Sequence, residues 1–373
     1  MSVLIWLVLL LLFAGLTLTL RKIGVLPIVT QLCAALLLPI LMLYLPDSAM
    51  PHYAELTSGA WLKLLYASCF TLLLGCILAD IADTKLSLDS LKIALPSFVV
   101  PFICGVLCAW LFFSELTPLA ILALGVLFSI TAIPVLFLYL QGIGYPAAER
   151  QRLIQAAIVI DVLCWAIFAL AQSSTELWSM LLPLLAGLLP LLLYWGQMRQ
   201  VWLYSTVFFV MLLLLQWLGM NALLFGVVYA LLVARLGLRL SIPIQAKLWY
   251  GLQWYLCVPV ILLYGVLQIR LTDVQWQGAA STLLLLVIVP IISKIVGSWL
   301  GVYWVRGKRS LATLWQDSVL LNIRGLTEII FLNILLQHGL IDALLYFGLL
   351  LMSVISTLLP ALLGLRQQRF TRS

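Results

Sequence analysis

Apolar runs of about twenty residues, nearly free of charge, recur from one end of this chain to the other. A helix of that length crosses the roughly 30 Å hydrocarbon core of a bilayer. Bounded by charge, Pro or Gly, thirteen runs lie near residues 2–20, 25–45, 60–79, 93–113, 117–140, 152–172, 177–196, 200–218, 220–238, 246–267, 278–305, 311–335 and 343–365. Lipid offers no partner to an unpaired N–H or C=O, so each run must be helix. Composition agrees. Of 373 residues 65% are hydrophobic and 9% charged, against about 25% charged in a soluble domain. A soluble globule, a disordered chain and a disulfide scaffold are excluded. The sequence predicts an all-α polytopic membrane protein of about thirteen transmembrane helices, with little chain left for an extramembrane domain.

The basic residues fix an expected orientation. With the amino terminus outside, 16 of the 20 Lys and Arg fall in inside loops, Lys63 and Arg270 fall outside, and Lys294 and Arg324 lie within spans. One missed or invented span would spoil this split. The net charge of +7 therefore reads as cytoplasmic-side bias rather than as a nucleic-acid surface. The run from Ser2 has no basic residues before it and is long enough to span, so it reads as a first span rather than a cleavable signal. All seven cysteines sit inside apolar runs with no metal-ligand spacing, which predicts reduced packing residues.

Thirteen spans accommodate two six-helix repeats with the seventh between them, an arrangement that makes the repeats inverted. Two spans carry interruptions at matching places. The fifth contains SITAIPVL, where Pro134 donates no N–H, frees a carbonyl one turn back and pushes Ile133 away from helix, with the Thr131 hydroxyl at the same depth. The twelfth contains LNIRGLTEII, where Gly325 follows Arg324 at mid-span. Unwound backbone supplies carbonyls for a cation and helix ends with partial charges. A charge at mid-bilayer costs roughly 2.5–3.5 kcal/mol on insertion scales, so it persists where it is paired or lines a wet cavity. Asp161, Lys294, Arg324 and Glu328 are such charges. Arg324 and Glu328, four residues apart, either form a structural ion pair or belong to a site. Asp161 has no other ionisable residue in its apolar stretch AAIVIDVLCWAIFAL. Either it braces Lys294, or it alternates between a proton and a hard monovalent cation.

Several segments together resemble the cation/proton antiporter superfamily, in its bacterial sodium/hydrogen exchanger and Kef-like branch. RKIGVLPIVTQLCAALLLP resembles the turn into the family's second span and YASCFTLLLGCILADI its third. SITAIPVL is close to its unwound Thr-Ala-x-Pro-Val-Leu, and AAIVIDVLCWAIFAL resembles its paired-acid helix. LGMNALLFGVVYALLV, ISKIVGSWLG and NIRGLTEIIFLNILLQHGLI resemble its Gly-Ala-Phe-x-x-Gly, Gly-Lys-x-x-Gly and Arg-Gly-x-x-Glu spans. The resemblance implies the sodium/proton antiporter fold: two inverted six-helix repeats, two crossed broken helices, and a homodimer in a bacterial inner membrane with its carboxyl terminus in the cytoplasm. Scaffold halves would cover residues 1–80 and 200–267, moving core halves 90–172 and 278–365, and 177–196 would be a linking helix. The family's ion-carrying aspartate falls on Asp161, its unwound-span threonine on Thr131, its core lysine on Lys294, and its Arg-Gly-x-x-Glu on Arg324, Gly325 and Glu328. Pro134 and Gly325 mark the two breaks.

Three departures stand out. Ile160 replaces the first residue of the acidic pair, Thr30 a glycine after the second-span Pro, and Gly75-Cys76 the start of Gly-Leu-Glu. One carboxylate at the site favours exchange of one cation, sodium or potassium, for one proton by alternating access, hence electroneutral transport. No carboxyl-terminal regulatory domain of the kind some relatives carry is expected. The alternative is a divergent carrier or channel for another ion or solute on the same scaffold. No cofactor, no metal beyond the transported cation and no nucleic-acid partner is expected. An enzyme is not expected either, because the only histidines, His52 and His338, lie near span ends and no second mid-span aspartate is present.

Overall fold

The computed structural model describes residues 2–22, 27–42, 59–82, 87–113, 115–172, 177–198, 200–218, 220, 222–241, 246–268, 271, 279–306 and 311–363. The regular structure of these residues is helical throughout. In chain order the helices are α1 (Ser2–Lys22), α2 (Pro27–Met42), α3 (Ala60–Ala82), α4 (Leu88–Phe112), α5 (Pro118–Ser129), α6 (Ile133–Gly142), α7 (Ala147–Gln172), α8 (Leu177–Gly187) and α9 (Leu189–Trp195). They continue as α10 (Val201–Trp217), α11 (Ala222–Arg235), α12 (Ala246–Leu252), a π-helical turn (Gln253–Cys257), α13 (Val258–Val266), α14 (Ala279–Arg306), α15 (Leu311–Leu321), α16 (Leu326–Gln337) and α17 (Ala343–Leu362). Helix occupies each apolar run read from the sequence. The seven cysteines are free thiols.

Where helices begin, end or break differs from the hydropathy reading, for identifiable reasons. α4 starts five residues before 93, because the Ser87 hydroxyl accepts from the Ser90 N–H at 3.2 Å and caps a polar first turn. α7 starts at Ala147 rather than 152, since its first turn, with Glu149, is charged and hydropathy cannot register it. The expected linking helix is two helices: Pro190 has no N–H, and the chain passes through a turn at Leu188 before α9 begins. Before Pro259 the ladder widens into the π turn, where the Val258 N–H reaches Gln253 O.

The described chain forms two compact units. One comprises residues 59–85 and 162–260. In it α3 packs on α10 and α11, and α8 on α11. Its core is aromatic: Phe208 lies 5.3 Å from the Tyr229 ring and 6.1 Å from Phe225, and the Tyr229 hydroxyl donates to Tyr204 O at 2.9 Å. Gly75 of α3 sits under the Phe209 ring, in space a Cβ would occupy.

The other unit comprises residues 1–58, 86–161 and 261–373. α4 packs along α14 and on α5, α14 on α15 and α17, and α2 on α1 and α17. The α4–α14 seam depends on Gly297 and Gly301, four residues apart on one face of α14. A Cβ on Gly297 would stand 2.6 Å from Pro96 O, and one on Gly301 would strike the Ile93 backbone. The Ser97 and Ser298 hydroxyls, 2.7 Å apart, join the helices between these contacts. Gly105 and Gly125 let α4 and α5 approach as closely, since a Cβ on Gly105 would lie 2.8 Å from the Gly125 Cα.

Gly301→Val is expected to cost about 1–3 kcal/mol by overpacking. Gly15→Ala, whose added methyl meets nothing within 4 Å, is expected to be neutral or slightly stabilising. Thermal unfolding of the two variants in detergent checks the contrast.

Candidate functional site

The fifth and twelfth apolar runs are both broken, and the breaks touch. α5 ends at Ser129 and α6 begins at Ile133, with Pro134 its second residue. α15 ends at Leu321 and α16 begins at Leu326, with Gly325 at its cap. The Ala132 N–H donates to Ile323 O at 2.9 Å, and the Thr131 hydroxyl donates to Leu321 O at 3.1 Å. Each break thus satisfies part of the backbone that the other leaves open.

A helix that stops inside a membrane leaves its last carbonyls without donors, and these carry the negative end of the helix dipole. At the end of α5 two buried cations take them. The Arg324 guanidinium donates through NH1 to Leu127 O, and through NH2 to Phe128 O at 2.6 Å. The Lys294 ammonium donates to Ser129 O. It also donates to Ser97 O at 3.1 Å, a carbonyl left free by Pro101 one turn on. Arg324 is held further by Glu328, 3.5 Å from NH1, and its own carbonyl accepts from the Thr357 hydroxyl at 2.7 Å. All four of these side chains are buried.

Asp161, fully buried on α7, stands where helices begin. Its Oδ2 accepts from the Thr327 hydroxyl, in the first turn of α16, at 3.5 Å. The Thr131 backbone N–H, just ahead of α6, and the Lys294 ammonium are its other electrostatic partners. Its Oδ1 has no hydrogen-bond partner among the described residues. The carboxylate therefore meets the positive ends of two half-helices, while the cations meet the negative end of a third. Such an arrangement keeps an ionised Asp161 carboxylate from standing as a bare charge in an apolar interior.

Of the residues expected at the site, Asp161 has Thr131 and Lys294 as electrostatic partners, Arg324 pairs with Glu328 beside the end of α5, and Pro134 and Gly325 fall at the two breaks. Three features went unread. Thr327 follows directly from the helix restart after Gly325, where a hydroxyl in the first turn is free to face outward, so the break itself was a signal. Ser97 O was signalled by Pro101. The half-buried contact from the Tyr145 hydroxyl to Asp317 joins residues 172 apart and had no local sign.

No protein-family model matches the chain. It is 24% identical over 302 residues, 71% of either chain, to a protein of Synechocystis named Na(+)/H(+) antiporter NhaS4. Its fold matches that of the sodium proton antiporter MjNhaP1 from Methanocaldococcus jannaschii at pH 8, with a TM-score of 0.57, 16% identity, and coverage of 98% of this chain and 97% of the other. In sequence the chain is thus similar to a sodium/proton antiporter, and in fold to another. It is accordingly an all-α, multi-pass membrane protein with the antiporter fold.

Within that fold Arg324 serves several buried acceptors at once. Arg324→Met strands Leu127 O, Phe128 O and the Glu328 carboxylate, for an expected loss of about 3–5 kcal/mol. Adding Glu328→Met is expected to return part of it, as non-additivity in thermal unfolding of the purified double variant.

Proposed function

We propose that this protein exchanges a monovalent cation, sodium or potassium, for protons by alternating access. The observation that carries the reading is the place of Asp161: an ionisable carboxyl, fully buried, at the meeting of two broken helices, with one oxygen lacking any hydrogen-bond partner. A carboxylate so placed binds a hard cation or a proton, and the two compete for the same lone pairs. The antiporter named among the sequence relatives supports the same class of chemistry.

In the cycle, Asp161 releases a proton to one side and takes a cation, or the reverse, and an empty, charged carboxylate resists crossing. Thr131 completes the cation shell. Its hydroxyl proton goes to Leu321 O, so its oxygen lone pairs stay available to a cation. Lys294 tunes the carboxylate from the end of α5. Arg324 and Glu328 hold the crossing in shape, and Pro134 and Gly325 keep it open. One carboxylate, with Ile160 beside it, gives one positive charge exchanged for another, so transport is electroneutral. The protein crosses the bacterial inner membrane thirteen times, amino terminus outside and carboxyl terminus inside, and works as a homodimer. Its moving core carries residues 90–172 and 278–365 as inverted repeats against a scaffold of 1–80 and 200–267.

Cation-induced changes of pH in everted vesicles test this. Asp161→Asn is expected to abolish exchange while the protein remains in the membrane; retained exchange in that variant refutes the assignment. For the parent protein, competition at one carboxylate makes the half-saturating cation concentration fall as pH rises, by up to about tenfold per unit while the site is mostly protonated. A half-saturation independent of pH contradicts the shared site, and currents that reverse with membrane potential without proton movement mark a channel instead.

A further inference from the structure

Asn322 sits in the break between α15 and α16, fully buried. Among the described residues, neither Nδ2 nor Oδ1 of its side chain has a hydrogen-bond partner. A primary amide carries two N–H groups and an oxygen with two lone pairs, and burying them unused is unfavourable. The contrast with Asn333 on α16 is direct. That residue is also buried, but its Nδ2 donates to Ile261 O at 2.8 Å and its Oδ1 accepts from the Tyr346 hydroxyl at 2.7 Å. Asn333 is a structural amide with both ends satisfied. Asn322 is held in place without using its amide for the fold.

Its backbone is fixed closely. Leu321 O, on one side, accepts from the Thr131 hydroxyl at 3.1 Å, and Ile323 O, on the other, accepts from the Ala132 N–H at 2.9 Å. Asn322 is thereby pinned against the unwound residues 131–132, whose Thr131 N–H serves Asp161. Five residues on, Thr327 reaches Asp161 directly. One crossing therefore gathers two groups buried without protein partners to match them: the Asp161 Oδ1 and the Asn322 amide. The helix that carries Asp161 offers no second oxygen beside it, because the preceding side chain is Ile160.

We propose that Asn322 is a ligand of the transported cation, its Oδ1 supplying from the twelfth span the oxygen that Ile160 cannot supply from the sixth. The assignment rests on the cation/proton exchange proposed above. A carbonyl oxygen is the hard, neutral donor that an alkali cation accepts. Neutrality keeps the site at one negative charge, so the cation–proton balance at Asp161 is undisturbed. The amide N–H groups are then free to meet water in the proton-loaded form.

The test is cation titration at fixed pH with purified protein in proteoliposomes, reading internal pH with sodium, potassium and lithium in turn. Asn322→Leu is close in size and removes the amide; it is expected to raise the half-saturating concentration of the transported cation at least about tenfold. Asn322→Asp keeps an oxygen at the same position and is expected to hold or lower it. An Asn322→Leu value within about twofold of the parent overturns the assignment, and so do Leu and Asp variants that raise it alike, since that marks a packing role. If Asn322→Leu is not recovered folded, Asn322→Ser, whose oxygen lies one bond shorter, is held to the same limits. Exchange in the parent with an unmoved variant removes only the Asn322 assignment. No exchange in the parent with any of the three cations removes the transport reading and the assignment together.

Discussion

Three carbonyls at the end of a helix that stops inside the protein are the constraint around which this structure is arranged. A helix end in water is hydrated at little cost, but in hydrocarbon each open carbonyl must find a donor inside the protein. The end of α5 finds the strongest donors available, a guanidinium on Leu127 and Phe128 and an ammonium on Ser129. Each of those cations would be ruinous alone at that depth. The helix end and the buried cations thus resolve one another's cost, and the crossing of the two breaks follows from keeping them together.

The same logic separates Asp161 from the basic residues by function rather than by distance. Lys294 and Arg324 give donors to backbone carbonyls, and Arg324 also pairs with Glu328. The carboxylate is left with a long hydrogen bond from Thr327, an amide ahead of α6, and one open oxygen. A tightly bidentate Arg–Asp pair would be a strut. The looser environment here suits the exchange of partners proposed for Asp161.

Much of this was legible in the sequence because lipid simplifies the code. Apolar length marked the helices, and Pro134 and Gly325 marked the two breaks, since neither residue sits in mid-helix without consequence. The charges at 161, 294, 324 and 328 stood out because a bilayer makes each expensive. What stayed hidden was of two kinds. Helix starts at Leu88 and Ala147 depend on polar first turns, to which hydropathy is blind. Partners such as Ser97 O for Lys294, or Asp317 for Tyr145, are set by packing between residues far apart in the chain. The turn at Leu188 lay between, since Pro190 announced a distortion but not its form.

The glycine seam between α4 and α14 has a mechanical consequence. Side chains that interlock can slide from one rotamer well to the next, but backbone resting on backbone, pinned by Ser97 and Ser298, offers no such increments. The two helices behave as one beam. Lys294 is fastened to that beam and to the tip of α5, which ties Ser129 to the seam. In the alternating-access cycle proposed above, the broken helices would travel as freight on a stiff lever, with the geometry around Asp161 carried along.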